Sequence, residues 1–289
     1  MTTDAIGRLP TERPRGKIEA VIVRTGAFFA NILWGTPARA KITIKVATGF
    51  LILFVWQIGV ALFAANFVAK PINIAKVFPS VLADPLFQQA AWNTLAAVFQ
   101  GLAVALVAGT VVGIAMGRMK VFDRALNFYV NGLYTMPMIA LLPLLTIWFG
   151  YSGDARMATI IFAAFFSIVI NVRDGARSVP PEYLDVCKTY RAPARFVWFD
   201  ITLFSSLPYL IAGFRLAAGR ALVAAVIAEF FVSLNGVGMF VLSNARSFKH
   251  NEAVVGVVAL VLFGLLFELT MNWITRRYFP WYRREGQSN

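Results

Sequence analysis

Residues 173–207 read RDGARSVPPEYLDVCKTYRAPARFVWFDITLFSSL and stand between two strongly apolar stretches, 157–172 and 209–232. The segment is polar but patterned. Pro180 and Pro181 suit the first turn of a helix, and Glu182 and Asp185 complement the positive end of its dipole. Tyr183, Leu184, Cys187 and Tyr190 recur on one helical face, while Glu182, Asp185 and Thr189 share another. Pro193 breaks that helix. A second short helix is expected at about 195–204, rich in Phe196, Val197, Trp198 and Phe199, before Pro208. Such a segment either rests on lipid as an interfacial helix or serves as a docking knob for a partner beneath a membrane.

Working outward, the chain has the composition of a lipid-embedded protein. Of its 289 residues 59% are hydrophobic and 14% charged, against about 25% charged in an ordinary soluble domain; mean hydropathy is +0.69. A spanning helix needs about 20 apolar residues. Six stretches meet or approach that length: 46–68, 93–116, 127–148, 157–172, 209–232 and 253–272. The fourth is short, about 24 Å at 1.5 Å per residue, and spans if Arg156 and Arg173 snorkel from its ends. The expected fold is all-α, a polytopic membrane protein with six transmembrane helices over 46–275. A segment 1–45 precedes it, with an interfacial helix at 17–33, and a tail 276–289 follows. The N-terminus lacks the compact apolar core of a cleavable signal.

Charge gives the helices a direction. With the N-terminus inside, the inner segments hold 20 of the 27 Lys and Arg residues and the outer segments five. Excess positive charge marks cytoplasmic loops, so both termini are expected in the cytoplasm, and 173–207 with them. The net charge of +13 is therefore a topology signal. No basic stripe interleaved with aromatics supports nucleic-acid binding. One cysteine, Cys187, and one histidine, His250, exclude a disulfide framework and a paired-histidine metal helix. No catalytic constellation and no phosphate loop of the form GxxxxGK[ST] is present.

Several residues within the apolar stretches invite attention. Gly109, Gly113 and Gly117 lie four apart and form a groove for a closely packed helix. Pro137 and Pro143 break or kink the third span. Arg215, Arg220 and Glu229 lie on the fifth, and intramembrane ionisable groups usually face protein or water. Arg220, Glu229, Pro137, Pro143 and Gln100 are candidates for a translocation pathway or gate. Structural pairing is the alternative for the ionisable ones, with Glu268 a possible partner; Gln57 and Gln100 also fit plain inter-helix hydrogen bonding.

The sequence resembles a known family at these places. Permeases of ATP-binding-cassette importers carry EAA-x3-G-x9-I-x-LP in a cytoplasmic loop. The aligned residues here are Asp185, Val186 and Cys187, then Arg191, then Ile201, Leu203 and Phe204. Spacing is intact and Ile201 and Leu203 match, whereas Arg191 replaces the glycine and Phe204 the proline. The stretches LPYLIAGFRLAAGRALVAAVIAE (207–229) and NGVGMFVLSNARSF (235–248) resemble the nitrate/sulfonate/taurine/bicarbonate group, as do Arg276, Arg277, Pro280 and Trp281. The resemblance implies a type I importer permease of the inner membrane, no enzyme itself and without a cofactor of its own. It also implies a second permease chain, most simply an identical one, and two cytosolic subunits that hydrolyse ATP-Mg. An extracytoplasmic binding protein would deliver a small anion or organic solute. Glu182, Asp185, Cys187, Lys188, Arg191, Ile201 and Leu203 would form the ATPase-coupling loop. A secondary transporter or channel is the competing expectation. It would often show internal repeats and polar residues at mid-membrane.

Overall fold

The computed structural model describes residues 37–63, 68–232 and 234–278. The expected interfacial helix at 17–33 and residues 279–289 of the tail lie outside the described residues. A long apolar helix, α1 (Pro37–Phe63), belongs to one unit, residues 1–65. The second unit, residues 66–289, holds the other helices. In order these are α2 (Pro71–Ala83), α3 (Pro85–Arg118), α4 (Lys120–Tyr134), α5 (Met138–Phe149), α6 (Gly153–Arg177) and α7 (Pro181–Thr189). A π-helical segment (Phe196–Leu203), α8 (Phe204–Val232), α9 (Val237–Arg246) and α10 (His250–Tyr278) complete it. No strand occurs among the described residues.

Among the described residues five helices are long and apolar enough to cross a membrane: α1, α3, α6, the continuous Phe196–Val232 rod and α10. The third expected span, 127–148, is broken rather than continuous. It becomes α4 and α5, bent by 104°. Pro137 is the cause: it has no N–H to donate, and a proline disfavours helical backbone at the residue before it, here Met136. Pro143 sits inside α5.

Whether the bent pair crosses is settled by how α3 packs on α6. Gly101 of α3 faces Ile160 of α6, Gly109 faces Ile168, Gly113 faces Val172 and Gly117 faces Ala176. Both numbers rise together, so the two helices run parallel. Two parallel spans need an odd number of crossings between them, and α4 with α5 is the only chain available. The pair is therefore one span, and the described residues make six crossings. In contrast, Gly175 and Gly213 of α6 and α8 meet Tyr209 and Asn171 respectively, which makes that pair antiparallel. Phe214 stacks near Phe267 at 5.8 Å, and Arg215 pairs with Glu268, so α8 and α10 also meet as close neighbours.

The glycine row expected to admit a helix does so. A Cβ on Gly109 would lie 2.9 Å from Ile168 Cγ2, and one on Gly113 would lie 2.8 Å from Val172 Cβ and 2.9 Å from the Val169 carbonyl. Around this seam Leu102, Ala105, Ile160, Ala164, Ile168, Val172, Ala217 and Ala221 form the principal buried cluster.

Two further expectations change. The short helix at 195–204 is not separate: its π-helical turns run directly into α8, and Pro208 lies inside that helix. Phe204, unlike the proline of the family pattern, keeps an N–H, which it donates to the Ile201 carbonyl. Arg156 and Arg173, expected at the ends of a short span, lie within the 25-residue α6. Both are drawn into α6 and paired with carboxylates.

Gly113→Leu should force α3 and α6 apart and lower stability by about 1–3 kcal/mol, the usual range for overpacking. Gly132→Ala, where an added Cβ meets nothing within 4 Å, should be neutral. Thermal unfolding of the two purified variants in detergent checks this; equal midpoints would contradict the close seam.

Candidate translocation site and coupling surface

The break between α4 and α5 opens a cavity of about 390 Å³. Its walls include Leu133, Tyr134, Thr135, Met136 and Met138 from the break, Phe162 and Phe166 from α6, and Gly219 and Arg220 from α8. Arg220 Nη1 donates to the Tyr134 carbonyl at 3.2 Å, and its guanidinium lies 3.8 Å from the centre of the Tyr134 ring. The carbonyl is one of the last in α4, whose intrahelical partners end at the break. Two of the sequence candidates, Arg220 and the Pro137 break, thus come together. Gln100 is exposed on α3 and does not line this cavity.

Glu229 takes a different place. It is fully buried, at 0% exposure. Oε1 accepts from the Thr94 hydroxyl at 2.8 Å and from Arg156 Nη1 at 3.3 Å. Oε2 accepts from the Gly238 N–H at 2.8 Å, in the first turn of α9. The Thr94 oxygen in turn accepts the Val237 N–H at 2.9 Å. One carboxylate therefore ties α3, α6, α8 and α9 and faces the positive end of the α9 dipole. A Cβ on Gly236 would meet the Glu229 carboxylate, and one on Gly238 would lie 2.8 Å from the Val226 carbonyl and 3.0 Å from Glu229 Cβ. The two stretches noted for their resemblance, 207–229 and 235–248, meet at this point.

Glu268 pairs with Arg215 at 3.3 Å, not with Arg220 or Glu229. At the other end of the bundle Asp123 of α4 accepts from Arg173 Nε at 2.6 Å and also pairs with Arg177. Sequence reasoning missed Asp123 and Thr94 and took Arg156 only as the end of a short span. Asp123 stood out only as the lone acid amid Arg118, Lys120 and Arg124; Arg156 and Thr94 carried no local signal. Among the described residues no group of three or more His, Cys, Asp or Glu could hold a metal.

The loop after α6 emerges at the Asp123 end. Its helix α7 buries none of its residues, and Tyr183, Val186 and Tyr190 are exposed, Tyr190 at 82%. Leu184 and Cys187 are half-buried. Lys188 pairs with Asp185 at 2.8 Å. The helix ends in a Schellman turn: Ala192 N–H donates to the Cys187 carbonyl at 2.8 Å and Arg191 N–H to Lys188 at 3.1 Å. The turn requires a left-handed residue, usually glycine, and Arg191 adopts it with φ of 49°. The tight turn of the family motif survives its substitution, at a cost of roughly 1–2 kcal/mol.

Six crossings, a broken span with a cationic cavity, and an exposed helix at one end define a polytopic transport permease. The comparisons agree. Residues 105–284 match the family described as binding-protein-dependent transport system inner membrane component, and the chain belongs to it. It is 26% identical over 266 residues to the nitrate import permease protein of Leptolyngbya laminosa, covering 89% of this chain and 94% of that one. It is 26% identical over 271 residues to the taurine transport system permease protein of Escherichia coli K12, covering 91% and 98%. A third relative, the formylaminopyrimidine transport permease protein of Halalkalibacterium halodurans, is 26% identical over 237 residues, covering 81% and 94%. The chain is a multi-pass inner-membrane permease of an ATP-binding-cassette importer. Nothing favours the secondary transporter or channel.

Removing one partner of a buried ion pair typically costs about 3–5 kcal/mol. Glu229→Ala and Arg156→Ala should each destabilise on that scale, and the double variant by clearly less than their sum. Glu229→Gln, which retains an oxygen for Gly238, should cost less than Glu229→Ala. Denaturation midpoints in detergent measure all four; additive losses would show that the two side chains do not interact.

Proposed function

We propose that this permease forms the substrate pathway of an importer for a small anion or organic solute, driven by two cytosolic subunits that hydrolyse ATP-Mg. A second permease chain, most simply an identical copy, completes the pathway, and an extracytoplasmic binding protein delivers the substrate. The nitrate and taurine named for the relatives support the solute class. Both termini and the α7 loop face the cytoplasm, a direction supported by the 20-to-five division of basic residues. In domain terms 1–45 and 276–289 are cytoplasmic flanks of a permease domain 46–275.

The observation that carries this reading is α7, a helix with no buried residue held at the Asp123 end of the bundle. Its neighbour is the π-helical segment, whose Leu203 packs into the principal core cluster. Movement of α7 therefore reaches α8, and with it Arg220, through one continuous rod. Glu182, Asp185, Cys187, Lys188, Arg191, Ile201 and Leu203 form the coupling surface. Arg220, the Pro137 break and Pro143 shape the pathway. Gln100 stays a candidate pathway residue, and Glu229 holds the outer ends of the helices that gate it.

Arg191 keeps a strained conformation, and strain of that kind is retained where a side chain has a use. We assign it a contact with an acidic group of the ATPase. Arg191→Glu should reduce substrate-stimulated ATP hydrolysis and capture of the ATPase, as should deletion of 182–191. Arg191→Gly should weaken coupling without loss of stability. Unchanged hydrolysis and unchanged complex assembly in Arg191→Glu would remove the contact.

A further inference from the structure

We infer that Arg220 and the α4–α5 break form an anion-selective binding site that takes an organic monoanion, a sulfonate or carboxylate on an apolar body. The inference rests on the importer reading for its place in transport but not for its chemistry.

Helix α8 carries two arginines in an apolar setting, and their surroundings differ. Arg215 is neutralised by Glu268 at 3.3 Å, beside a small cavity of about 110 Å³. Arg220 faces the larger cavity and pairs with no carboxylate among the described residues. Its contacts are the carbonyl and ring of Tyr134. A guanidinium has five N–H donors, so most remain for a ligand. Arg220 lies 12 residues before the end of α8 at Val232, about 18 Å along the helix. Arg220 is exposed on the cavity side, so its free donors are accessible to an anion, and intramembrane ionisable groups usually face protein or water. Met138, the first residue of α5, is also on the cavity wall, which adds the positive end of a helix dipole.

The walls decide which anion. Leu133, Met136, Met138, Phe162, Phe166 and Val223 offer apolar surface. A small anion such as nitrate or bicarbonate would meet the guanidinium alone and leave the apolar walls uncovered. An organic anion places its charge on Arg220 and its body against the walls. The volume lies within the range of sites for small organic ligands.

Arg220 also caps the last turn of α4, so a purely structural role must be separated. Arg220→Gln keeps a donor for the Tyr134 carbonyl and loses the charge; Arg220→Lys keeps the charge. Gly219→Leu fills the cavity at a position where a Cβ meets nothing within 4 Å. It serves as well if Arg220→Gln does not fold. The test is calorimetric titration of the purified full chain in lipid nanodiscs with hexane-1-sulfonate, sodium nitrate and hexan-1-ol. Hexane-1-sulfonate should bind, and nitrate and hexan-1-ol should each bind roughly tenfold or more weakly, nitrate for want of apolar burial and hexan-1-ol for want of the charge-assisted contact. Arg220→Gln and Gly219→Leu should each weaken hexane-1-sulfonate at least as much, and Arg220→Lys should retain most of the binding. Unchanged sulfonate binding in a folded Arg220→Gln or Gly219→Leu, equal binding of nitrate, or no sulfonate binding at all would overturn the site. The importer reading is read out separately, by capture of an ATPase. A chain that captures one but shows no Arg220-dependent binding sinks the site alone. A chain that binds sulfonate through Arg220 but captures no ATPase sinks the importer alone.

Discussion

The parallel seam between α3 and α6 is the constraint on which the other helices depend. Side chains on both faces would hold two helices at the ordinary 8–10 Å separation. Here one face is reduced to glycine and alanine, and Ile160, Ile168 and Val172 fill the space that a Cβ would take. Without a hydrophobic drive between helices in lipid, close packing of this kind is what holds spans together. Because the seam is parallel, the broken α4–α5 pair has to return the chain across the bundle. That return puts the cavity, the break and α7 where they are.

Two polar ties close the seam at its ends. Asp123 with Arg173 and Arg177 joins the start of α4 to the end of α6. Glu229 with Arg156, Thr94 and the first turn of α9 joins the opposite ends of α3, α6 and α8. Side-chain exposure of Arg173 and Arg156 is only 11% and 17%, while Arg177 stays 43% exposed. Between them the principal cluster is apolar, and Arg220 stands exposed at the edge of the cavity. Arg220, which pairs with no carboxylate among the described residues, thus lies beside the helix break.

Much of this was legible in the sequence because the signals were local. Spans followed from apolar length, the close helix approach from Gly109, Gly113 and Gly117, and the start of α7 from Pro180 and Pro181. Proline at 137 announced a break but not its angle, which the packing of α5 on α6 and α8 decides. Short helices α2 and α9 were not anticipated; they are held by a satellite cluster of Ile74, Val81, Phe87, Val237 and Val255 whose members are far apart in the chain. The partner of Glu229 was invisible for the same reason. Arg156 lies 73 residues away, and it looked like the end of a short span. Arg191 shows the reverse case: the residue departed from the motif, yet backbone hydrogen bonds preserved the turn.

The most direct test is the sidedness of three engineered cysteines in a Cys187→Ser background, labelled with a membrane-impermeant thiol reagent. The positions are Lys120→Cys at the start of the broken pair, Tyr151→Cys after it and Thr189→Cys on α7, all exposed in the native chain. Lys120→Cys and Thr189→Cys should react only from the cytoplasmic face, and Tyr151→Cys only from the outer face. Labelling of Tyr151→Cys from the same side as Lys120→Cys would make α4–α5 a re-entrant loop, and α7 could not then reach a cytosolic ATPase.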